Sequence, residues 1–146
     1  VCDAQAAALA QARPGVAYEA GHTAAVETLT EGLLSLGLLK GTLKQNIADG
    51  HYKRFYLHKT GHWLGLDVHD VGEYRIDGQS RLLEPGMVFT IEPGLYINAE
   101  DTSVPAKWRG IGIRIEDDVL VTRDGHKVLT EALPRTAEET EALMAG

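Results

Sequence analysis

A chain of 146 residues is long enough to bury about two thirds of its unfolded surface and so to form one domain with its own core. Twenty-one acidic against fourteen basic residues leave a net charge of −7, which argues against nucleic acid or an anionic membrane as the main partner, and no apolar run approaches the roughly 20 residues of a membrane span. The single cysteine, Cys2, excludes an internal disulfide and gives no support for a thiolate metal cluster, and the N-terminus has no basic stretch followed by an apolar core, so the expected location is cytoplasmic. The chain opens at Val1 directly into a helix-like segment, and it is expected to be a piece of something longer.

Residues 3 to about 12 are rich in Ala, Gln and Leu and stop at Arg13-Pro14-Gly15, which predicts a first helix and a turn. From Glu19 to about Leu36 the apolar positions Val26, Leu29, Leu33 and Leu36 recur at helical spacing, and Gly37 can end the helix in a left-handed conformation. Residues 41–54 read as polar and glycine-interrupted, and Phe55 to Leu57 as β-prone. After the Pro85-Gly86 turn, residues 87–97 read as a strand broken by Pro93-Gly94. Residues 111–122 read as another, with β-branched positions spaced by two, and Arg123-Asp124-Gly125 as a hairpin turn into residues 127–130. Thr136-Ala137-Glu138-Glu139 is a capping box that opens a last helix running to Met144. Helices first and strands afterwards predict an α+β fold, with helices packed on one face of a mainly antiparallel sheet.

Three histidines, His58, His62 and His69, fall within twelve residues in a run otherwise built of Gly, Leu and aromatics. Two glutamates, Glu92 and Glu116, lie in equally apolar, strand-like surroundings, where a charge needs a partner and a metal supplies one. Imidazole with carboxylates and no thiols suits Mn, Fe, Co or Zn at an open, water-bearing site better than a closed structural zinc site. Metal-assisted hydrolysis is the natural reaction class. The spacing is not His-Glu-x-x-His, which excludes a zincin-type helix.

The stretch from His58 through His62-Trp63-Leu64-Gly65-Leu66-Asp67-Val68-His69-Asp70 closely resembles the histidine signature of the proline-specific pita-bread metallopeptidases, in particular the bacterial Xaa-Pro aminopeptidases. Leu83 to Tyr96, around Thr90-Ile91-Glu92-Pro93-Gly94, and Gly110 to Asp118, around Ile113-Arg114-Ile115-Glu116, are similar to that family's two glutamate motifs, in the same order. The resemblance implies the C-terminal portion of a pita-bread domain over residues 1–146. It implies His62 and Glu92 as ligands of one metal and Glu116 as a bridge to a second, with two manganese ions in the complete enzyme and Co or Zn as possible substitutes. His58 and His69 are implied as non-ligand catalytic histidines that line the substrate site, and Tyr96 as a further substrate-binding residue. Arg114, two residues before Glu116, lies on the same face if the segment is a strand, where it is a catalytic-site residue that can steady the Glu116 carboxylate or simply pair with an acidic neighbour. The implied substrates are peptides with proline in the second position. The neighbouring reading in the same fold is a prolidase acting on Xaa-Pro dipeptides, and the reading from another class is a catalytically dead pita-bread binding module.

The family pattern includes two further aspartate ligands on an upstream hairpin, and no Asp here matches it by motif: Asp3 is at the start, Asp49 in a polar loop, and Asp117 and Asp118 belong to the Glu116 strand. Three expectations follow. The side chains of His62, Glu92 and Glu116 converge, with His58 and His69 around the same cavity. The chain alone is a weak metal binder without appreciable peptidase activity. Apolar surface and an unpaired strand edge drive homo-oligomerisation. His22, His51 and His126 read as surface or packing residues, Cys2 as a small apolar residue, Trp63 as core, residues 100–108 as an exposed rim excursion, and the acidic C-terminal helix as a solvated face.

Overall fold

Small residues let the first two helices lie close together. In the computed structural model, which describes residues 1–146, α1 (Cys2–Leu9) packs on α2 (Glu19–Ser35) with Ala4 and Ala8 fully buried between them. The α-helical part of the first helix is shorter than its composition predicts. Beyond Leu9 the backbone tightens, Gln11 N–H reaching the Ala8 carbonyl and Ala12 N–H that of Leu9, which uses up the last free carbonyls before Pro14. α2 ends as expected: Gly37 takes a φ of 73°, its N–H bonds the Leu34 carbonyl and that of Leu38 the Leu33 carbonyl, a Schellman arrangement. Val26, Leu29 and Leu33 face inward, while Leu36, just past the last turn, stays exposed.

Residues 41–54 are more ordered than their polarity suggests. They form α3 (Leu43–Ala48), whose N-cap Thr42 accepts from Gln45 N–H, and a 3-10 turn (His51–Arg54). No strand forms at Phe55 to Leu57. Phe55 and Tyr56 instead point into two apolar clusters, Tyr56 beneath α1 and α2 with Trp63, Phe89 and Ile91, and Phe55 with Leu33, Ile97 and Val104. The excursion after residue 97 is therefore anchored by buried Val104 and half-buried Trp108, and Arg54 ties it further through Asp101 and Ser103, so it is not wholly exposed.

Every strand pairing is antiparallel, as the sequence predicts. β1 (Arg75–Ile76) and β2 (Gln79–Ser80) form a small hairpin turned by Asp77-Gly78, both with positive φ. β3 (Val88–Ile91), β6 (Asp117–Val121) and β7 (His126–Val128) make a three-stranded sheet, and β4 (Gly94–Tyr96) pairs with β5 (Gly112–Arg114). The segment read as one strand over 111–122 is thus two, divided at Ile115–Glu116 opposite the division at Glu92–Pro93. Ile91 pairs with Asp117 and Gly94 with Arg114, so the register continues across the gap and Glu92 falls opposite Glu116. α4 (Ala137–Met144) opens with the predicted capping box and buries none of its side chains.

The start of β6 is pinned by one buried carboxylate. Asp117, 1% exposed, accepts from Gln5 Nε2 (2.8 Å), Thr130 Oγ1 (2.5 Å) and Arg135 Nε (2.7 Å), joining α1, β6 and the segment before α4. Replacing Asp117 with Ala leaves these donors without their acceptor, and we expect a loss of about 2–4 kcal/mol. Urea unfolding measures it, and a loss below about 1 kcal/mol would show that the pin is dispensable.

Candidate metal centre

The site is assembled where the sheet gives way to the histidine segment. β3 is flanked on its second edge by residues 60–64: Glu92 N–H bonds the Thr60 carbonyl (2.7 Å), Thr90 N–H that of His62 (2.9 Å), and Leu64 N–H that of Val88 (3.1 Å). This pairing places His62 beside Glu92. The approach is so close that a Cβ on Gly61 would sit 1.8 Å from the Thr90 carbonyl oxygen, which no side chain permits. Glu116 comes from the opposite edge, across from Glu92.

One ligand atom from each of His62, Glu92 and Glu116 lies within 4.8 Å of the others, the convergence expected from the sequence. His62 and Glu92 are largely buried, with side chains 14% and 13% exposed, and Glu116 is open to solvent. The His62 Nδ1 is 3.0 Å from the Trp63 carbonyl, which can only accept, so Nδ1 carries a proton and Nε2 is the nitrogen turned to Glu92 Oε1, 3.4 Å away. Two carboxylates opposed across neighbouring strands repel one another until a cation stands between them. Burial first, and then the Glu92 charge, push the Glu116 carboxyl above its usual range. The donor set of one nitrogen and two carboxylates fits a divalent ion of the Mn, Co or Zn type.

The other expected residues surround this cluster. The exposed His69 ring lies 4.1 Å from that of His62, centroid to centroid. His58 donates from Nδ1 to the Lys59 carbonyl (2.7 Å), leaving Nε2 to accept from the Tyr96 hydroxyl (2.9 Å), which in turn accepts from Arg114 Nε (2.7 Å). Arg114, Tyr96 and His58 thus form one directed chain of hydrogen bonds. The Arg114 Nε stands 3.8 Å from Glu92 Oε2, so its ion pair is with Glu92 and not with Glu116, the partner expected from strand alternation. Glu92 lies opposite Glu116 in the register, so alternation sets Arg114 on the same face as both carboxylates, and the ion pair forms with Glu92. Trp63 is core, 8% exposed and stacked on Tyr74, as expected.

Residues 1–123 match the model of metallopeptidase family M24. The chain belongs to that family. It is 48% identical to Xaa-Pro aminopeptidase 1 of Streptomyces coelicolor over 146 residues, 99% of this chain and 30% of that protein. It superposes on aminopeptidase PepP of Pseudomonas aeruginosa with a TM-score of 0.95 at 56% identity, and on Escherichia coli aminopeptidase P bound to the inhibitor Pro-Leu with a TM-score of 0.91 at 47% identity. Each covers 97% of this chain and 32% of the solved one. This M24 chain therefore spans about a third of the length of the relatives it matches, and its α+β fold is that of aminopeptidase P over this stretch.

Two residues beside the M24 site escaped the sequence reading. Thr60, 5% exposed, receives hydrogen-bonding contacts from His22 Nδ1 (2.8 Å) and the Tyr56 hydroxyl (2.6 Å). His22 is accordingly a half-buried partner of the histidine segment; it lines a crevice of about 450 Å³ with Tyr18, Thr60 and Phe89, whereas none of His62, Glu92 and Glu116 does. The available signal was His22 one helical turn before Val26, on the face that α2 buries. Burial, and then the Lys59 charge, push the His22 imidazole down to about 4. A depressed folded value means that the unfolded chain takes up a proton the fold refuses, so stability present above about 6.5 is lost as pH falls towards about 4 and levels off below it. Urea midpoints across this range should show that slope in the natural chain and a flatter one in His22→Asn; equal slopes would acquit His22.

Proposed function

We propose that this chain carries part of the catalytic centre of a divalent-metal-dependent aminopeptidase that releases the N-terminal residue preceding proline. The observation that supports it most directly is the convergence of His62 Nε2 with the facing carboxylates of Glu92 and Glu116. The kinship supports the substrate class, since the relatives are Xaa-Pro aminopeptidases and one solved neighbour holds Pro-Leu.

In this reading His62 and Glu92 would hold one manganese ion and Glu116 would reach a second. Three ligands do not by themselves complete a cage for two ions. When bound, such cations lower the pKa of a water towards neutrality and polarise the scissile carbonyl. The residues of this chain then do the positioning. His58, its Nδ1 proton fixed on the Lys59 carbonyl, presents an Nε2 linked by hydrogen bonds through the Tyr96 hydroxyl to Arg114. His69, free at the surface beside His62, is placed to bind the substrate carbonyl or the charge that develops on it. Arg114, 3.8 Å from the outer oxygen of Glu92, offsets part of that carboxylate's charge.

Calorimetric titration of the full-length protein with manganese should show Glu92→Gln and Glu116→Gln losing more affinity than the about 10–100-fold that removal of an outer hydrogen-bond partner costs. The same variants should lose release of the first residue from an Xaa-Pro peptide, with His58→Ala retaining metal but not turnover. Undiminished manganese binding by both glutamine variants would overturn the assignment.

A further inference from the structure

Thr90 is a buried strand residue, 2% exposed, that valine would fill as well by shape and by β-propensity. Its hydroxyl is nonetheless fully committed. Oγ1 lies 3.0 Å from the His62 backbone nitrogen and 3.2 Å from Glu92 Oε1. The backbone N–H can only donate, so the hydroxyl accepts there, and its single proton goes to the carboxylate. The direction of both bonds is therefore fixed by the chemistry of the partners.

From this geometry we propose that Thr90 is a positioning residue for the metal centre, fixing the Glu92 carboxylate and the His62 backbone relative to one another through one hydroxyl. The inference rests on the metal reading of His62, Glu92 and Glu116. Residues i and i+2 share a face of a strand, so Thr90 and Glu92 stand side by side, while the His62 segment lies across from both. Thr90 holds that segment twice, accepting from His62 N–H through its side chain and donating its own N–H to the His62 carbonyl (2.9 Å). The oxygen of Glu92 that it holds, Oε1, is the one facing His62 Nε2. Arg114 stands by the other oxygen. With one carboxylate oxygen hydrogen-bonded and a guanidinium near the other, a long side chain that would otherwise sample several rotamers is biased to one orientation. A valine keeps the packing and loses only this restraint.

The test compares Thr90→Val and Thr90→Ser in the full-length protein, reading manganese affinity by calorimetry, thermal midpoint by circular dichroism, and hydrogen exchange of the His62 amide. We expect the valine variant to fold, to bind manganese about 10–100-fold more weakly, and to lose protection at His62, with serine restoring most of both. A filler role would move the midpoint without changing the affinity of the folded protein. Should valine prevent folding, Thr90→Ala against Thr90→Ser makes the same comparison. Equal tight binding by natural and valine proteins sinks this inference alone, whereas a natural protein that binds no manganese sinks the metal reading and this inference with it.

Discussion

Glu92 and Glu116 face each other across two antiparallel strands, an arrangement that like charges disfavour and that Arg114, 3.8 Å from Glu92, offsets only in part. A fold that only needed stability would place a β-branched pair there, as it does with Val119 and Val128 across β6 and β7. The surrounding structure is understandable as what it takes to hold the two carboxylates close to one another. Asp117 locks the residue after Glu116 through three donors, Pro93 is buried beside Glu92, and residues 60–64 close the far edge of β3. Each restraint acts on a neighbour of a site residue and leaves the facing oxygens free.

The register is kept across the division of both long strands. Alternation sends successive side chains to opposite faces, and with Ile91 opposite Asp117 and Gly94 opposite Arg114 it puts Glu92, Tyr96, Arg114 and Glu116 on one face. There Arg114 reaches Tyr96 and Glu92, and the two glutamates converge. Pro93, with no N–H to offer, is suited to such a gap, and its carbonyl still accepts from Ile115 N–H (3.3 Å).

Much of this was legible in the sequence where residue type and setting disagree. A charge in Thr90-Ile91-Glu92-Pro93 or Ile113-Arg114-Ile115-Glu116 contradicts its neighbours, and the contradiction marks a site. Thr90 and Thr60 carry no such flag, because threonine is at home in or beside a strand and its hydroxyl acquires meaning only from what lies across the sheet. His22 carried a weaker signal, one helical turn before Val26 on the face that α2 buries. Local chemistry was available but overlooked for α3, since Thr42-Leu43-Lys44-Gln45 has the Thr-x-x-Gln spacing of a capping box, and for the small hairpin, whose Asp77-Gly78 is a turn pair with both φ values positive. The partner of Arg114 was beyond the sequence, because the cross-strand register that sets Glu92 on its face exists only in the fold.

Site order and loop order also meet in one atom. The Trp63 carbonyl accepts from His62 Nδ1 (3.0 Å) and from Asp70 N–H (3.0 Å), so the same oxygen that fixes the His62 tautomer closes the loop carrying His69. Trp63 N–H is held in turn by the Tyr74 hydroxyl (3.1 Å), and Tyr74 stacks on the indole at the foot of the β1–β2 hairpin. Opening that loop would therefore cost more than mobility at His69. It would leave the Trp63 peptide free to turn, and with it the acceptor that keeps Nε2 of His62 turned to Glu92. The apolar side chains of Leu66, Val68 and Val71, exposed on the outside of the loop, contribute nothing to this closure, which is made by backbone groups and one tyrosine. The geometry of the cluster thus depends on residues that need never touch a ligand.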